Sequence, residues 1–165
     1  MTLEQLCESL PEDKQIRLAI DLINISIPVW KEYSQLNVLS YRDTVVGLTH
    51  TIPKELLQDT INEIENYLER PNVIPKIQNR QRFLKLFSLF SDPIVALQDN
   101  DWNLPHAAER IFYSVYNLIR SMVETDLKVF TISVSINQAI DAIQSSELLT
   151  DDQIKQILEE ARNGR

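Results

Sequence analysis

Glycine is nearly absent from this chain, which has two glycines among 165 residues. One of them, Gly164, lies in the C-terminal tail, so Gly47 is the only glycine in the body of the sequence. Phosphate-binding loops, dinucleotide fingerprints and nucleophile elbows all need glycine, because a side chain would block the backbone path or the ligand. The scarcity excludes these motifs and disfavours tight β-hairpins. Helices joined by capped turns are the remaining expectation.

Cysteine and long apolar runs are also scarce. Cys7 is the single cysteine, so no internal disulfide can form, which is typical of proteins in a reducing compartment. No segment approaches the roughly 18 uninterrupted apolar residues of a membrane-spanning helix. The first residues also lack the basic start and apolar run of a signal peptide. These observations predict a cytoplasmic protein that does not bind a membrane.

Metal ligands and catalytic motifs are few. The two histidines, His50 and His106, stand far apart in the sequence, whereas a zinc site needs three or four clustered ligands. No Glu-x-x-His pair of the di-iron type occurs, and no Gly-x-Ser-x-Gly surrounds a serine. We therefore expect no cofactor, no metal and no enzymatic activity. A catalytic group assembled from distant residues would leave no pattern in the sequence, so it stays open as an alternative.

Positive charge is in deficit. The chain carries 24 acidic and 16 basic side chains, for a net charge of −8. Binding to nucleic acid or to anionic membranes needs clustered lysine and arginine, so both are disfavoured. The charge suits a basic protein partner, and it equally suits a protein that is merely soluble. One local basic run is either an anion-binding or acidic-partner contact or a solvated helix face, and it consists of Lys76, Arg80, Arg82 and Lys85.

The spacing of apolar residues predicts one all-α domain over residues 1–165, a bundle of six to eight helices. Three sequences match capping boxes, beginning at Thr2, Ser9 and Thr150. Ser91-Asp92-Pro93 predicts the end of one helix and the start of another, and Asn103 is expected to cap the helix that follows. The expected helices cover residues 3–9, 11 to about 33, 40–49, 53–70, 77–90, 104–124 and 150 onwards. The segments 11–35 and 104–124 are the expected central pair, and residues 71–75 are the expected loop near mid-chain.

Residues 128–136 are ambiguous between helix and strand. Phe130, Ile132, Val134 and Ile136 alternate with polar residues, which is the period of a strand. No second alternating run offers a partner, and a lone strand is not stable. Ile132 and Ile136 also fit a helix that continues to Ile143. We interpret the segment as a helix.

Acidic side chains are the candidate contacts for a basic partner. Asp99 and Asp101 flank a loop with Trp102, and exposed aromatic residues beside charge are typical of protein-binding anchors. Trp102 is alternatively a staple that packs on Ala107. The full candidate set is Glu63, Glu65, Glu69, Asp99, Asp101 and Trp102.

The first 35 residues resemble a known group of proteins. The sequence Leu10-Pro11-Glu12-Asp13-Lys14, then Leu18-Ala19 and Ile27-Pro28-Val29-Trp30, is similar to the opening of the Imm5-like immunity proteins and the related DUF416 proteins. These are small helical bacterial proteins. The resemblance implies a helical protein that binds and neutralises a toxin domain, and it brings no catalytic motif with it.

The leading hypothesis is a non-catalytic cytoplasmic binding protein whose rigid acidic surface occludes a basic cleft of its partner. One alternative is a helical enzyme or small-ligand carrier with a pocket between helices, near Pro28. A second alternative is a homo-oligomer in which Phe83, Phe87 and Phe90 pack on another copy of the chain.

Overall fold

Helices make up most of the structure, a computed structural model that describes residues 1–70 and 76–164. The prediction of an all-α bundle is confirmed, because seven helices lie within these ranges and are accompanied by one two-stranded hairpin. The helices are α1 (Leu3–Ser9), α2 (Glu12–Leu36), α3 (Leu56–Glu69), α4 (Lys76–Gln98), α5 (His106–Val123), α6 (Lys128–Ser145) and α7 (Asp151–Arg162). The strands are β1 (Ser40–Arg42) and β2 (Thr49–Thr51). The expected loop at 71–75 lies outside the described residues.

Two of the three predicted capping boxes are present. The hydroxyls of Thr2 and Thr150 accept hydrogen bonds from the backbone amide of the third helical residue. That residue is a glutamine in both helices, and its side-chain oxygen accepts a hydrogen bond from the backbone amide of the threonine. The predicted box at Ser9 is wrong, since its hydroxyl donates to the Leu6 carbonyl at 2.6 Å. The residue before a proline avoids the α region, so the chain is extended at Leu10 and Pro11 occupies the cap position.

Asn103 is likewise not a helix cap. α5 begins at His106, and Pro105 takes the cap position in an extended conformation without a side-chain bond to the helix. Because proline has a fixed φ near the helical value, it starts a helix without help from the residues before it. In both helices, the proline occupies the cap position, and the polar residue before it in the sequence lies outside the helix.

The predicted stop at Ser91-Asp92-Pro93 is also wrong, since α4 runs unbroken from Lys76 to Gln98. A proline inside a helix removes one hydrogen bond and costs roughly 3 kcal/mol relative to alanine. Pro93 is buried, together with Phe90, Ile94 and Leu97 of the same helix. Burial of this apolar face offsets the free-energy cost of the proline. That burial depends on tertiary packing, so the local sequence pattern does not predict it.

A β-hairpin replaces the short helix that we expected over 40–49. β1 and β2 are antiparallel, with Tyr41 opposite His50. In the turn, the Asp43 carboxylate accepts hydrogen bonds from the amides of Val45 and Val46 at 2.9 and 3.1 Å. Gly47 adopts φ 76°, the left-handed conformation that suits glycine. The one glycine in the body of the chain therefore closes a hairpin turn and does not end a helix.

Three helices form the centre of the core. α6 packs most extensively against α5, and it also packs against α2 and α1. The expected central pair, α2 and α5, do pack on each other, and α6 is the third member that we did not place there. The helical interpretation of 128–136 is confirmed, because these residues belong to α6, which buries Ile132, Ile136 and Ile143 in the hydrophobic core.

Polar side chains tie α5 to α6 inside this core. The Ser114 hydroxyl donates to the Ser135 carbonyl at 2.7 Å, and the Ser135 hydroxyl donates to the Ser114 carbonyl at the same distance. Both serines are fully buried. These reciprocal bonds satisfy both hydroxyls and allow the helices to approach closely. Among the described residues, no helix combines the length and the apolar character needed to cross a membrane.

Candidate partner-binding surface

The hairpin turn exposes apolar side chains. Val45 is 92% exposed, Val46 is 64% exposed and Leu48 is 57% exposed. We call these three residues the hairpin tip. They lie between β1 and β2, in and just after a turn that Asp43 fixes with its hydrogen bonds. Single exposed apolar residues are normal, whereas grouped ones mark interaction sites. The hairpin tip is thus a fixed apolar projection.

Acidic residues lie at the base of this projection. The Thr44 hydroxyl donates to the Asp101 carboxylate at 3.3 Å, which links the hairpin turn to the loop between α4 and α5. Asp99 is exposed in the same loop, and Asp101 is half-buried. One predicted contact residue, Asp101, is therefore joined to the turn that carries an apolar tip that we did not predict, and Asp99 lies two residues before it in the same loop.

Trp102 is not an exposed anchor, and its inclusion in the predicted contact surface is wrong in this respect. It is 5% exposed, and its ring makes a perpendicular contact with Phe112 at a centroid distance of 5.2 Å. Its other neighbour is Tyr41 of β1, at 6.0 Å. The indole thus joins the hairpin to α5 from beneath. The alternative prediction, a staple on Ala107, also had Trp102 packed against other residues. The ring contacts identify Tyr41 and Phe112 as the residues that it packs on.

A pocket of about 190 Å³ opens between the hairpin and α4. Its wall includes the stacked rings of Tyr41 and His50, whose centroids are 5.2 Å apart. Burial raises the pKa of the Tyr41 hydroxyl, and the carboxylates of Asp92 and Asp43 raise it further. The pocket therefore has aromatic walls in a negative electrostatic environment. Its other lining residues include Ile52, Ser88, Leu89 and Asp92.

The predicted glutamates form a separate group on α3. Glu65 accepts a hydrogen bond from the Asn24 amide at 3.0 Å, and Glu69 is exposed in the last turn. Glu63 is half-buried. Burial raises the pKa of Asp21 on α2, Arg17 opposes this effect, and Glu65 adds to it. No hydrogen bond or ion pair in the described part of the chain joins the α3 glutamates to Asp99 or Asp101, so the predicted set divides into two acidic surfaces.

One member of the basic run has a structural contact. The Arg80 guanidinium donates to the Val123 carbonyl at the C-terminal end of α5, at 3.1 Å. A cation at this position also opposes the negative end of the helix dipole. Lys76, Arg82 and Lys85 are exposed. Arg80 thus secures α4 to α5, while its three neighbours fit the solvated face that we kept open.

The histidines lie in different places. The His106 ring lies 3.1 Å from the Asp141 carboxylate, and Arg110 approaches the same oxygen at 3.1 Å. The cluster therefore links the N-terminal part of α5 to the C-terminal part of α6. His50 lies in the hairpin pocket. No group of three or more side chains able to hold a metal ion occurs within residues 1–70 and 76–164.

Comparison with known proteins adds no relative. No protein-family model, no curated protein and no solved structure matches this chain.

Proposed function

We propose that this chain is a non-catalytic cytoplasmic protein that binds a basic protein partner through the hairpin tip and the acidic loop beside it. The observation that carries the proposal is the exposure of Val45, Val46 and Leu48 on a turn joined to Asp101. Apolar anchors supply affinity when a partner buries them. Carboxylates around them speed the encounter with a basic surface.

Occlusion is the mechanism that this arrangement suits. Trp102 packs against Tyr41 in β1, and Asp43 fixes the turn, so little conformational freedom is lost when the tip enters a cleft of the partner. The resemblance of residues 10–35 to toxin-immunity proteins agrees with such a role, in which the bound protein blocks a basic active site. The resembling segment itself lies almost entirely in α2 and does not include the hairpin.

The self-association alternative loses its proposed interface. Phe83 and Phe90 are 4% and 0% exposed, so they are already covered within one chain, and only Phe87 is half-buried. Phe87 stacks on Tyr116 at a centroid distance of 5.8 Å. The predicted phenylalanine face is thus used within the chain, since Phe87 and Phe90 pack on α5 and Phe83 packs on Tyr67 of α3. The pocket alternative near Pro28 has no support from four of the best-formed clefts in the described residues, since Pro28 lines none of them.

The proposal is tested by isolating the partner and then dissecting the interface. A tagged chain is used to capture partners from native lysate, and the captured protein is purified for titration. We expect the double variant Val45→Ser/Val46→Ser to weaken the affinity at least tenfold, which is about 1.4 kcal/mol. Ile77→Ser is the matched control, because Ile77 is 73% exposed on α4 and lies outside the proposed surface. Equal affinities for the tip variant and the wild-type chain would contradict the proposed surface.

Charge reversal separates the two acidic surfaces. We expect Asp99→Lys to slow association at low salt and to have less effect at high salt, because screening removes long-range attraction. Reversal of Glu63 and Glu69 on α3 reports on the other surface. If association rates are unchanged by reversals on both surfaces, electrostatic steering is wrong. If only the α3 variants slow association, the binding surface lies on α3 and not at the hairpin.

A further inference from the structure

The hairpin pocket combines aromatic rings, a carboxylate and apolar walls. Tyr41 and His50 stack on one side, while Asp92 and Leu89 approach from α4. Ile52 contributes an apolar wall from the segment that follows β2. The pocket opens beside the hairpin whose tip we propose as the partner-binding surface. It is therefore placed to receive a side chain of the same partner.

Two polar groups in this pocket have unused capacity. Tyr41 is 7% exposed, and its hydroxyl makes no hydrogen bond to any residue that the structure describes. Asp92 belongs to none of the ion pairs found in the described ranges, which involve Glu12, Glu124 and Asp141 as the acids. The Tyr41 hydroxyl is not among the buried polar atoms that lack a partner, so solvent reaches it, and the Asp92 side chain is exposed. Both groups can act as hydrogen-bond acceptors for a ligand in the pocket.

The chemistry of the lining selects a cation. Asp92 places a carboxylate in the lining of the pocket, which favours a cationic ligand over an anionic one. The faces of aromatic rings attract cations, and a planar guanidinium can stack on them. Carboxylates bind guanidinium groups through paired hydrogen bonds that an ammonium group cannot reproduce. Leu89 and Ile52 suit the apolar stem that carries such a head group.

We propose, resting on the proposed function, that this pocket binds the guanidinium side chain of an arginine on the partner protein. The guanidinium would stack against the half-buried ring of His50 and donate hydrogen bonds to the Asp92 carboxylate and the Tyr41 hydroxyl. The hairpin tip and the pocket would then act together, with the tip inserting into the partner and the pocket holding one of its cations.

The test uses the whole chain and a small probe, N-acetyl-arginine methylamide. The chain has two histidines, so the ring signals of His50 and His106 can be resolved by nuclear magnetic resonance. His106 is an internal reference because its partner, Asp141, lies on α6 and not in the hairpin pocket. We expect the probe to shift the His50 ring signals saturably at millimolar concentrations. We expect the neutral citrulline analogue to produce no saturable shift, and the lysine analogue to bind at least threefold more weakly.

Variants of the pocket sharpen this test. Asp92→Asn should weaken probe binding at least threefold, and Tyr41→Phe should weaken it while keeping the ring stack. Asp59→Asn, at an exposed carboxylate on α3, is the matched control and should bind like the wild-type chain. An absence of saturable shifts at His50, equal shifts with citrulline, equal binding of lysine, or equal binding by Asp92→Asn would each overturn the arginine site.

The outcome is distinguishable from failure of the proposed function. If a partner is bound through the hairpin tip but is indifferent to Asp92→Asn, the arginine pocket is wrong and the binding surface stands. If the probe binds at His50 but the tip variant leaves partner affinity unchanged, the pocket stands and the proposed surface fails. The tip variant tests the proposed surface alone, and probe binding at His50 tests the pocket alone.

Discussion

Replacing Trp102 with alanine should destabilise the whole fold, because the indole is part of the core that supports the hairpin. Trp102 is 5% exposed and contacts the rings of Phe112 and Tyr41. Truncation of a buried tryptophan to alanine costs about 3–5 kcal/mol, through lost transfer energy and the cavity left behind. Since a change of 1 kcal/mol moves the melting temperature by about 2–4 °C in chains of this size, a drop of roughly 6–20 °C is expected.

The assay is urea unfolding followed by far-ultraviolet circular dichroism, with thermal melts in parallel. Trp102→Phe keeps an aromatic ring against Phe112 and should lose less stability than Trp102→Ala. Val45→Ala is the control, since its side chain is 92% exposed and surface substitutions usually change stability by less than about 0.5 kcal/mol. A loss below about 1 kcal/mol for Trp102→Ala would refute the argument, because it would mean that the indole is a surface group.

Three further predictions concern a cap, a thiol and a carboxylate. Thr150→Ala removes the capping box of α7 and should lower the free energy of unfolding by about 1 kcal/mol, whereas Asp152→Asn leaves that box intact and should lower it less. Burial, assisted by Glu4, raises the pKa of the Cys7 thiol to about 11, so alkylation at pH 8 should be roughly a hundredfold slower in the folded chain than in urea; equal rates would show that the thiol is accessible. Because the pKa of Asp21 is raised mainly by burial, its neutral form favours the folded state and this stability is lost as the pH rises through that pKa. Asp21→Asn should therefore unfold at higher urea than the wild-type chain at pH 7, with a difference that shrinks on acidification, and an unchanged midpoint at pH 7 would contradict the burial effect.

Helices with long apolar periodicity were predictable from the sequence. The faces of α2 and α5 were identified correctly, since residues such as Ile23 and Phe112 are fully buried. α6 was recovered by excluding the strand alternative, because the ambiguous run had no plausible partner strand. In each of these segments, local preference and tertiary packing favour the same conformation, so the sequence pattern was sufficient.

The hairpin was not predicted because its signal is short. Leu39 and Tyr41 on one side and His50 and Ile52 on the other alternate with polar residues, and these four point toward the same packed side in the structure. Each strand has three residues, which form three pairs with the other strand. The same segment of ten residues is equally compatible with a short helix. Gly47 was the available clue, since its left-handed conformation is what a turn of this kind requires.

The candidate site was only partly predictable for a related reason. Asp99 and Asp101 were selected for charge, and the structure joins Asp101 to the hairpin turn through Thr44. Tyr41, His50 and Asp92 were missed because they come from β1, β2 and α4, and only the fold brings them to one pocket. For Trp102 the sequence left both a surface anchor and a packed staple open, because a polar loop surrounds it, and the structure packs it against Tyr41 and Phe112.

The position of α6 in the chain has a consequence for synthesis. α1, α2 and α5 all pack against α6, which begins only at Lys128. A nascent chain that ends near residue 123 therefore presents apolar faces on three helices whose common partner has not yet been translated. Such faces are prone to intermolecular association, so the growing polypeptide is exposed to aggregation until α6 has left the ribosome.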